Sequence, residues 1–290
     1  MPESFTTLVT VAQLQEHLDD PTWCVIDVRH DLMEPAVGPR AYAAGHIRGA
    51  VFAHTDYDLS GAKTGRNGRH PLPERADIVQ AFGRWGVNDD TQIVAYDANG
   101  GNFAVRLWWL ARWLGHTRVA VLDGGWPKWI EATALVSTET AQRPPGSITG
   151  RSASMPLVTT DDVLRNLDSR ERLVLDARTP ERYRGEQEPI DPVAGHIPGA
   201  RNRPWLRNLE ADQTFKSPQA LRQEFAAALG STAPARVVHQ CGSGVTACHN
   251  LLAMEIAGLA GSALYAGSWS EWIADPGRPI ATGEEAAAES

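Results

Sequence analysis

The sequence predicts an α/β protein with two tandem domains, each a mainly parallel sheet flanked by helices. Two observations carry this prediction: the chain repeats itself once, and strand and helix signals alternate within each half. Strands that are separated by helices form parallel sheets with both faces covered. The length agrees, because 290 residues are about twice the usual size of one domain.

The repeat consists of three sequence blocks that recur in the same order, with offsets of 149, 150 and 143 residues. The matched blocks are residues 25–29 and 174–178, residues 45–50 and 195–200, and residues 124–129 and 267–272. This period is far too long for a solenoid and indicates duplicated domains. A polar stretch rich in Pro, Gly and Ser separates the halves. We therefore predict an N-terminal domain over 1–136, a linker over 137–156 and a C-terminal domain over 157–290.

Hydrophobic periodicity places the strands and helices within each half. In the first half we predict strands over 23–28, 92–96 and 119–122, and helices over 74–85 and 103–114. In the second half we predict strands over 173–176, 236–240 and 263–265, and helices over 217–229 and 245–257. Ligand sites in such sheets form at the carboxyl ends of the strands, so the loops after the strands are the candidates.

Composition excludes several classes of partner. The net charge is −8, from 27 basic and 35 acidic residues, so the chain has no general attraction to nucleic acid or to anionic membranes. No apolar stretch is long enough to span a bilayer, and the N-terminus lacks the basic and apolar runs of a secretory signal. Three cysteines argue against a disulfide framework. We expect a cytoplasmic protein with neither nucleic acid nor membrane as a partner.

The most informative segment is the loop Cys241-Gly242-Ser243-Gly244-Val245-Thr246, between a predicted strand and a predicted helix. Glycines allow such a loop to curl until its backbone N–H groups converge, and a helix N-terminus favours an anion there. A cysteine at this point is expected to ionise readily and to act as a nucleophile. The alternative is a buried structural cysteine. In the first half Asp97 takes the corresponding position, so only one half is predicted to be catalytic.

The same residues fit other kinds of site less well. A cysteine phosphatase needs an arginine six residues after its cysteine, and Ala247 stands there. His239, Cys241, Cys248 and His249 lack the spacing of a zinc site, so we predict no metal. Cys24 and Cys248 are interpreted as core residues. A non-catalytic binding module remains a third possibility.

These motifs together resemble the two-domain rhodanese-type sulfurtransferases over residues 8–283. The resemblance is carried by the Asp-x-Arg strand ends, both Gly-His-Ile-x-Gly-Ala blocks, the cysteine loop and the Gly-Ser-Trp-Ser-Glu-Trp ending. It implies two rhodanese-like domains and transfer of a sulfane sulfur through a Cys241 persulfide. The donor would be a small molecule, and the acceptor a thiol, thioredoxin or cyanide. No cofactor is implied.

The loop sequence resembles the branch of the family that uses 3-mercaptopyruvate. Thiosulfate-using members tend to place cations after the cysteine, whereas Gly242 and Ser243 are neutral. Thiosulfate is a dianion that expels sulfite, and cations beside the thiol favour it. Mercaptopyruvate has one carboxylate and a ketone, which a neutral loop with a hydroxyl suits better. Thiosulfate:cyanide sulfurtransferase activity remains the alternative.

The resemblance also implies supporting residues. Arg182 would bind the substrate carboxylate, and Ser243, His70 and Asp56 would form a proton relay between the two halves. The loop residues expected to contact substrate are Gly242, Gly244, Val245 and Thr246. The simpler alternatives are a solvated arginine at 182 and ordinary loop polar groups at 70 and 56. The second arginine that mercaptopyruvate members often carry has no equivalent in residues 188–191.

Residues that recur in both halves are expected to be structural, because only one half has the cysteine. They are Asp27, Asp176, His46, His196, Trp126, Trp129, Trp269 and Trp272.

Overall fold

The structure is a computed structural model that describes residues 4–133, 135–152 and 155–284. Its contacts divide the chain into two units. The first unit comprises the described residues of Met1–Gly61, Pro73–Ser154 and Leu209–Phe215. The second unit comprises those of Ala62–Leu72, Met155–Asn208 and Lys216–Ser290. A single boundary in the predicted linker would not give this division, because residues 62–72 belong to the second unit and residues 209–215 to the first.

Most of the predicted linker, residues 137–156, is fastened to the first unit by hydrogen bonds. The backbone N–H of Gly146 donates to the carbonyl oxygen of Gly83 at 2.8 Å. The N–H of Ser147 donates to Asn88 Oδ1 at 2.8 Å. The N–H of Thr149 donates to Asp89 Oδ1 at 2.7 Å. These contacts group the segment with the first unit.

The first unit is built on a five-stranded parallel sheet with strand order β1-β6-β5-β2-β4. A short antiparallel pair, β3 with β7, lies outside this sheet. The elements are β1 (Leu8–Val9), α1 (Val11–Glu16), β2 (Trp23–Asp27), α2 (Val37–Ala44), β3 (His46–Ile47), β4 (Val51–Phe52), α3 (Arg75–Arg84), β5 (Gln92–Tyr96), α4 (Ala104–Trp113), β6 (Val119–Leu122), α5 (Gly125–Ala132) and β7 (Val136–Ser137).

The second unit repeats this topology, with strand order β8-β12-β11-β9-β10 in a parallel sheet. Its elements are β8 (Leu157–Val158), α6 (Thr160–Ser169), β9 (Leu173–Asp176), α7 (Pro180–Arg184), β10 (Arg201–Asn202), α8 (Pro218–Leu229), β11 (Val237–Gln240), α9 (Ala247–Ile256), β12 (Ala263–Tyr265) and α10 (Ser268–Trp272), with short 3₁₀ turns at Trp205–Asn208 and Pro234–Arg236. The predicted fold class is confirmed. No helix in the described parts of the chain is both long and apolar enough to cross a membrane.

The Asp-x-Arg motifs brace the loop after the second strand of each main sheet. In the second unit, Arg178 donates from Nε and Nη2 to the buried Asp176 carboxylate, and from Nη2 to the carbonyl oxygen of Gly195 at 2.7 Å. In the first unit, Arg29 makes the same bonds to Asp27 and to the carbonyl of Gly45. A buried charge needs such a partner. The predicted structural role of these aspartates is confirmed.

The repeated histidines and tryptophans are mostly core residues, as predicted. His46 Nδ1 lies 2.8 Å from the carbonyl oxygen of Tyr42, and His196 Nδ1 lies 2.7 Å from that of Tyr183. The tryptophans with fully buried side chains are Trp129, Trp269 and Trp272. Trp126 is only partly buried and lies beneath the Arg29 guanidinium, 4.5 Å from its ring centroid.

The buried His239 of β11 predicts a pH dependence of stability. Burial lowers the pKa of His239 to about 3, from an ordinary value of 6.5. Between these values the unfolded chain binds a proton that the folded chain does not. The free energy of unfolding should therefore fall as the pH falls from 6.5 towards 3, by up to about 1.4 kcal/mol per pH unit from this residue. Denaturant titrations of wild type and His239→Gln across this range should show a shallower slope in the variant; equal slopes would contradict the assignment.

Candidate active site

Cys241 follows directly on β11 and is buried, with 1% of its surface exposed. The N–H of Gly244 donates to Cys241 Sγ at 3.1 Å. The Cys241 backbone is held by the start of α10: its N–H donates to Ser268 Oγ at 3.1 Å, and its carbonyl accepts from the Trp269 N–H at 3.0 Å. The strand β11 and the helix α10 thus fix the backbone that carries the sulfur.

Gly244 is required by the shape of this loop. Its φ is +77°, and a Cβ at this position would lie 2.1 Å from the carbonyl oxygen of Ala266. A side chain would therefore meet both backbone strain and a collision. Val245 and Thr246 continue the turn into α9, because their carbonyls accept from the N–H groups of Cys248 and His249 at 3.1 Å. That these loop residues contact substrate stays a prediction.

The corresponding loop of the first unit binds a carboxylate through its backbone N–H groups. The Asp97 carboxylate accepts four backbone N–H groups, from Asn99 and Gly101 on Oδ1 and from Phe103 and Ala104 on Oδ2, at 2.7–2.9 Å. Burial raises the pKa of Asp97, while these hydrogen bonds act in the opposite direction. The twin loop is an anion cradle filled by its own side chain.

Two residues of the predicted relay lie together. His70 Nδ1 is 2.7 Å from Ser243 Oγ, and both side chains are buried. His70 reaches Ser243 because residues 62–72 pack with the second unit. Asp56 belongs to the first unit, where its N–H donates to His54 Nδ1 at 3.1 Å and its Oδ2 lies 3.7 Å from His30 Nε2. Its participation in the relay stays a prediction.

His30, His54 and Asp56 also form a group of potential metal ligands that the sequence analysis did not anticipate. One donor atom from each lies within 4.8 Å of the others. Two imidazoles and a carboxylate are donors that zinc accepts. However, His54 Nδ1 already accepts a hydrogen bond from the Asp56 N–H. Of the zinc set considered from the sequence, His239 contacts Met254 Sδ and His249 contacts Asn208.

Arg182 is not a solvated surface arginine. Its side chain is 15% exposed, and its Nη2 lies 2.8 Å from Glu188 Oε1 and 2.9 Å from Asp191 Oδ2. These carboxylates hold the guanidinium in place. It lies beside the cysteine loop, since a Cβ on Gly242 would lie 3.4 Å from Arg182 Nη2. The alternative of a solvated surface arginine is therefore wrong; that Arg182 binds the substrate carboxylate stays a prediction.

Sequence reasoning missed Arg69, whose guanidinium also borders this loop. Arg69 Nη1 donates to Asp191 Oδ1, and Arg69 Nη2 would lie 2.8 Å from a Cβ on Gly242. Burial lowers the pKa of Arg69, and the charge of Cys241 acts in the opposite direction. The available signal was its position directly before His70, a residue already assigned to the site.

The other two cysteines are core residues, as predicted. The Cys24 thiol donates to the carbonyl of Trp85, and burial raises its pKa to about 12. Cys248 is fully buried, and its thiol donates to the carbonyl of Gly244. The Cys241 sulfur accepts from the Gly244 N–H.

The duplicated parallel sheets, with Asp97 and Cys241 at corresponding turns, define the class of protein. The rhodanese-like domain family matches the chain twice, over residues 10–132 and 159–275. The chain belongs to the rhodanese-like family, and the resemblance seen in the sequence is confirmed.

Relatives match over nearly the whole chain. A probable 3-mercaptopyruvate sulfurtransferase of Pseudomonas aeruginosa is 45% identical, over 97% of this chain and 100% of its own length. A putative thiosulfate sulfurtransferase, SseB, of Mycobacterium tuberculosis is 37% identical, over 95% of this chain and 97% of its own. The structure of 3-mercaptopyruvate sulfurtransferase from Leishmania major superposes with a TM-score of 0.80 at 27% identity, covering 92% of this chain and 74% of that one.

The close approach at Gly244 predicts a specific loss of stability. Gly244→Ala combines a left-handed backbone with a collision against the carbonyl of Ala266, and we expect it to lower the free energy of unfolding by about 2–4 kcal/mol. Gly65→Ala is the matched control, since Gly65 has a φ of +79° and open space around its Cβ position. The control should lose only about 1 kcal/mol. Equal losses in denaturant unfolding would show that the collision is absent.

Proposed function

We propose that this protein is a sulfurtransferase that takes the sulfur of 3-mercaptopyruvate onto Cys241 as a persulfide and passes it to a thiol acceptor. The observation that carries the proposal is the Cys241 loop, which places a sulfur under the Gly244 N–H where the twin loop holds a carboxylate. A loop that binds an anion suits a thiolate and a persulfide alike. The full-length relative named as a probable 3-mercaptopyruvate sulfurtransferase supports the choice of donor.

In the first step the Cys241 thiolate attacks the sulfur of 3-mercaptopyruvate. A bond forms between the two sulfurs, and the bond between sulfur and carbon 3 breaks. The electron pair of that bond leaves with carbon 3 as the enolate of pyruvate, which takes up one proton to become pyruvate. The chain keeps the sulfur as a Cys241 persulfide, so no external oxidant is needed.

The Ser243–His70 pair would supply that proton. The Ser243 hydroxyl stands two residues after the nucleophile, and the 2.7 Å contact with His70 Nδ1 allows the imidazole to replace a proton that the hydroxyl gives up. Asp56 would complete the relay by favouring the protonated imidazole. Arg182 would hold the donor carboxylate, and backbone groups of Gly242, Gly244, Val245 and Thr246 would line its reacting end.

In the second step an acceptor thiolate attacks the outer sulfur of the persulfide. The bond between the two sulfurs breaks, and Cys241 leaves as a thiolate held by the same loop. A small thiol, thioredoxin or cyanide can serve as the acceptor. We place this chemistry in the cytoplasm, where thiols remain reduced.

Thiosulfate is the second candidate donor, and one observation favours it. The loop itself is neutral, but Arg69 and Arg182 bring two guanidinium groups to its edge, where they could neutralise a dianion. The mycobacterial relative carries the name of a putative thiosulfate sulfurtransferase. The persulfide chemistry would be the same with either donor.

Replacement of the nucleophile should abolish sulfur transfer. A serine at 241 neither ionises near neutral pH nor forms a persulfide, so we expect Cys241→Ser to lose activity by at least about a thousandfold. Cys24→Ser and Cys248→Ser are the matched controls and should keep most of the activity. Activity is measured as thiocyanate formed from cyanide, and a Cys241→Ser variant that still turns over would contradict the proposal.

A comparison of donors tests the substrate assignment. With cyanide as the common acceptor, kcat/KM should be at least about tenfold higher for 3-mercaptopyruvate than for thiosulfate, a difference of about 1.4 kcal/mol in transition-state stabilisation. The physical reason is the neutral loop at Gly242 and Ser243. A higher kcat/KM for thiosulfate would transfer the assignment to the second candidate.

A further inference from the structure

We propose that the second unit has an anion-binding groove at the amino ends of its strands, and that the ligand of this groove is a chain of phosphoryl groups, such as a triphosphate. The groove has a volume of about 1200 Å³. Six arginines line it and give it the name arginine groove: Arg170, Arg172, Arg201, Arg203, Arg207 and Arg236.

The arginine groove is separate from the proposed sulfur-transfer site. Arg236 stands directly before β11 and Cys241 directly after it, so the two residues lie at opposite ends of one strand. A strand rises about 3.3 Å per residue, which puts their backbones roughly 15 Å apart. A ligand in the arginine groove would therefore not occupy the place of the sulfur donor.

The lining concentrates positive charge in a chain that is acidic as a whole. Six arginines and two glutamates, Glu171 and Glu224, give the arginine groove a formal charge of +4, whereas the whole chain carries −8. Glu224 is already paired, with Arg203 at 3.3 Å and with Lys216 at 2.5 Å. Like charges gathered in this way repel one another, and a bound anion would relieve that repulsion.

Five of the six arginines can serve a ligand. Arg203 is buried, and burial lowers its pKa to about 10, with the nearby charge of Arg207 acting in the same direction. The other five are exposed residues, and none of them forms an ion pair with a carboxylate of the described residues. Arg201 Nη1 donates to the carbonyl of Ala228 at 3.5 Å, but a guanidinium has five N–H groups and can bind a ligand as well.

The first unit is an internal control, because it repeats the topology without these cations. At the offsets of the repeat, the six arginines correspond to neutral residues: Pro21, Trp23, Val51, Ala53, Tyr57 and Gln92. The same sheet therefore forms in the first unit without arginines at these places. A function other than folding is the simplest reason for their presence in the second unit.

Gly199 gives one of these arginines its place. A Cβ on Gly199 would collide with Arg170 Nη1, so the guanidinium lies across this glycine. The corresponding Gly49 of the first unit has nearly the same φ, +80° against +78°, yet nothing lies within 4 Å of its Cβ position. Both glycines suit the left-handed turn, but only Gly199 also leaves room for a cation.

The strand order spreads the cations over a length that favours a chain of anionic groups. Arg236 and Arg172 directly precede β11 and β9, Arg201 begins β10, and these three strands are neighbours in the sheet. Neighbouring strands lie about 4.8 Å apart, so the three backbones extend over at least about 10 Å. A chain of phosphoryl groups matches this length better than a single phosphate does.

The hydrogen-bonding groups favour phosphoryl oxygens over an acidic peptide. Guanidinium groups only donate hydrogen bonds, and they bind phosphate oxygens in pairs. The oxygens of a triphosphate only accept, so every polar group of the ligand finds a donor. A peptide would bring N–H groups of its own, and these need acceptors in a lining whose Glu224 is already paired.

Calorimetric titration with inorganic tripolyphosphate tests the arginine groove. At about 0.15 M salt, where weak surface attraction is screened, we expect wild type to bind a single equivalent. Arg172→Gln and Arg236→Gln should each raise Kd by at least about tenfold. Arg66→Gln, the matched control, removes an exposed arginine of the same unit from outside the groove and should stay within about twofold. No binding by wild type, or an equal loss in the control, would overturn the proposal.

The two glycines provide a second test. Gly199→Ala should raise Kd for tripolyphosphate by at least about fivefold, because the added methyl displaces the Arg170 guanidinium. Gly49→Ala introduces a similar backbone strain with no arginine beside it, and Kd should stay within about twofold. Arg170→Gln should reproduce the loss without backbone strain. An unchanged Kd in both Gly199→Ala and Arg170→Gln would contradict the assignment of this arginine to the site.

Other ligands test the chemical class. Inorganic phosphate and hexaglutamate should each bind at least about tenfold more weakly than tripolyphosphate, and equally tight binding of either would overturn the assignment to a phosphoryl chain. ATP distinguishes two sources of the same chemistry. Tighter binding of ATP than of tripolyphosphate supports a nucleotide as the ligand, and equal binding supports a free polyphosphate.

One further variant tests where the anion binds. Arg69→Gln, beside the cysteine loop, should bind tripolyphosphate as wild type does. Loss of binding in Arg69→Gln with binding retained in Arg172→Gln and Arg236→Gln would place the anion at the cysteine loop and overturn the proposal. These titrations involve no turnover, so their results stand whether or not the protein transfers sulfur.

Discussion

The backbone N–H groups of the turn after the central strand of each parallel sheet, β5 and β11, are the constraint on which the site depends. Such a turn must be satisfied by an anion or by water, because buried donors without partners are costly. In the first unit the Asp97 carboxylate accepts four of these N–H groups permanently. In the second unit a sulfur takes the carboxylate's place, and the charge it carries changes during the proposed reaction. The first unit thus holds a cradle filled by its own carboxylate, whereas the corresponding turn of the second unit holds the proposed nucleophile.

The hydrogen bonds that hold the Cys241 loop explain how this loop could react while its backbone stays fixed. The strand β11 fixes one end of the turn, α9 continues the other, and α10 binds the Cys241 backbone on both its N–H and its carbonyl. The same helix receives the Arg69 N–H through Ser270. The backbones of Cys241 and Arg69 are therefore both held by hydrogen bonds to α10. Little reorganisation of these groups is needed in the proposed reaction.

The features that could be predicted from the sequence are those that local residue patterns determine. The strands at 92–96, 119–122, 173–176 and 263–265 have the predicted bounds, because each is a continuous run that is buried except at Leu173. The two-residue strands Leu8–Val9 and Leu157–Val158 escaped prediction, since so short a run has no periodicity. Predicted helices at 103–114 and 245–257 were too long by one or two residues at each end, where capping decides the boundary. The Cys241 loop was recognisable from its glycines, whereas the contact of Arg69 with Asp191 joins residues far apart in sequence and depends on where the segment 62–72 packs.

The most direct test of the account is the stoichiometry of a single turnover without acceptor. Enzyme mixed with one equivalent of 3-mercaptopyruvate and quenched should release about one pyruvate per chain and gain the mass of one sulfur atom. Peptide mapping under non-reducing conditions should locate that sulfur on Cys241. Release of pyruvate without added sulfur on Cys241, or stoichiometric sulfur on another residue, would contradict the persulfide mechanism.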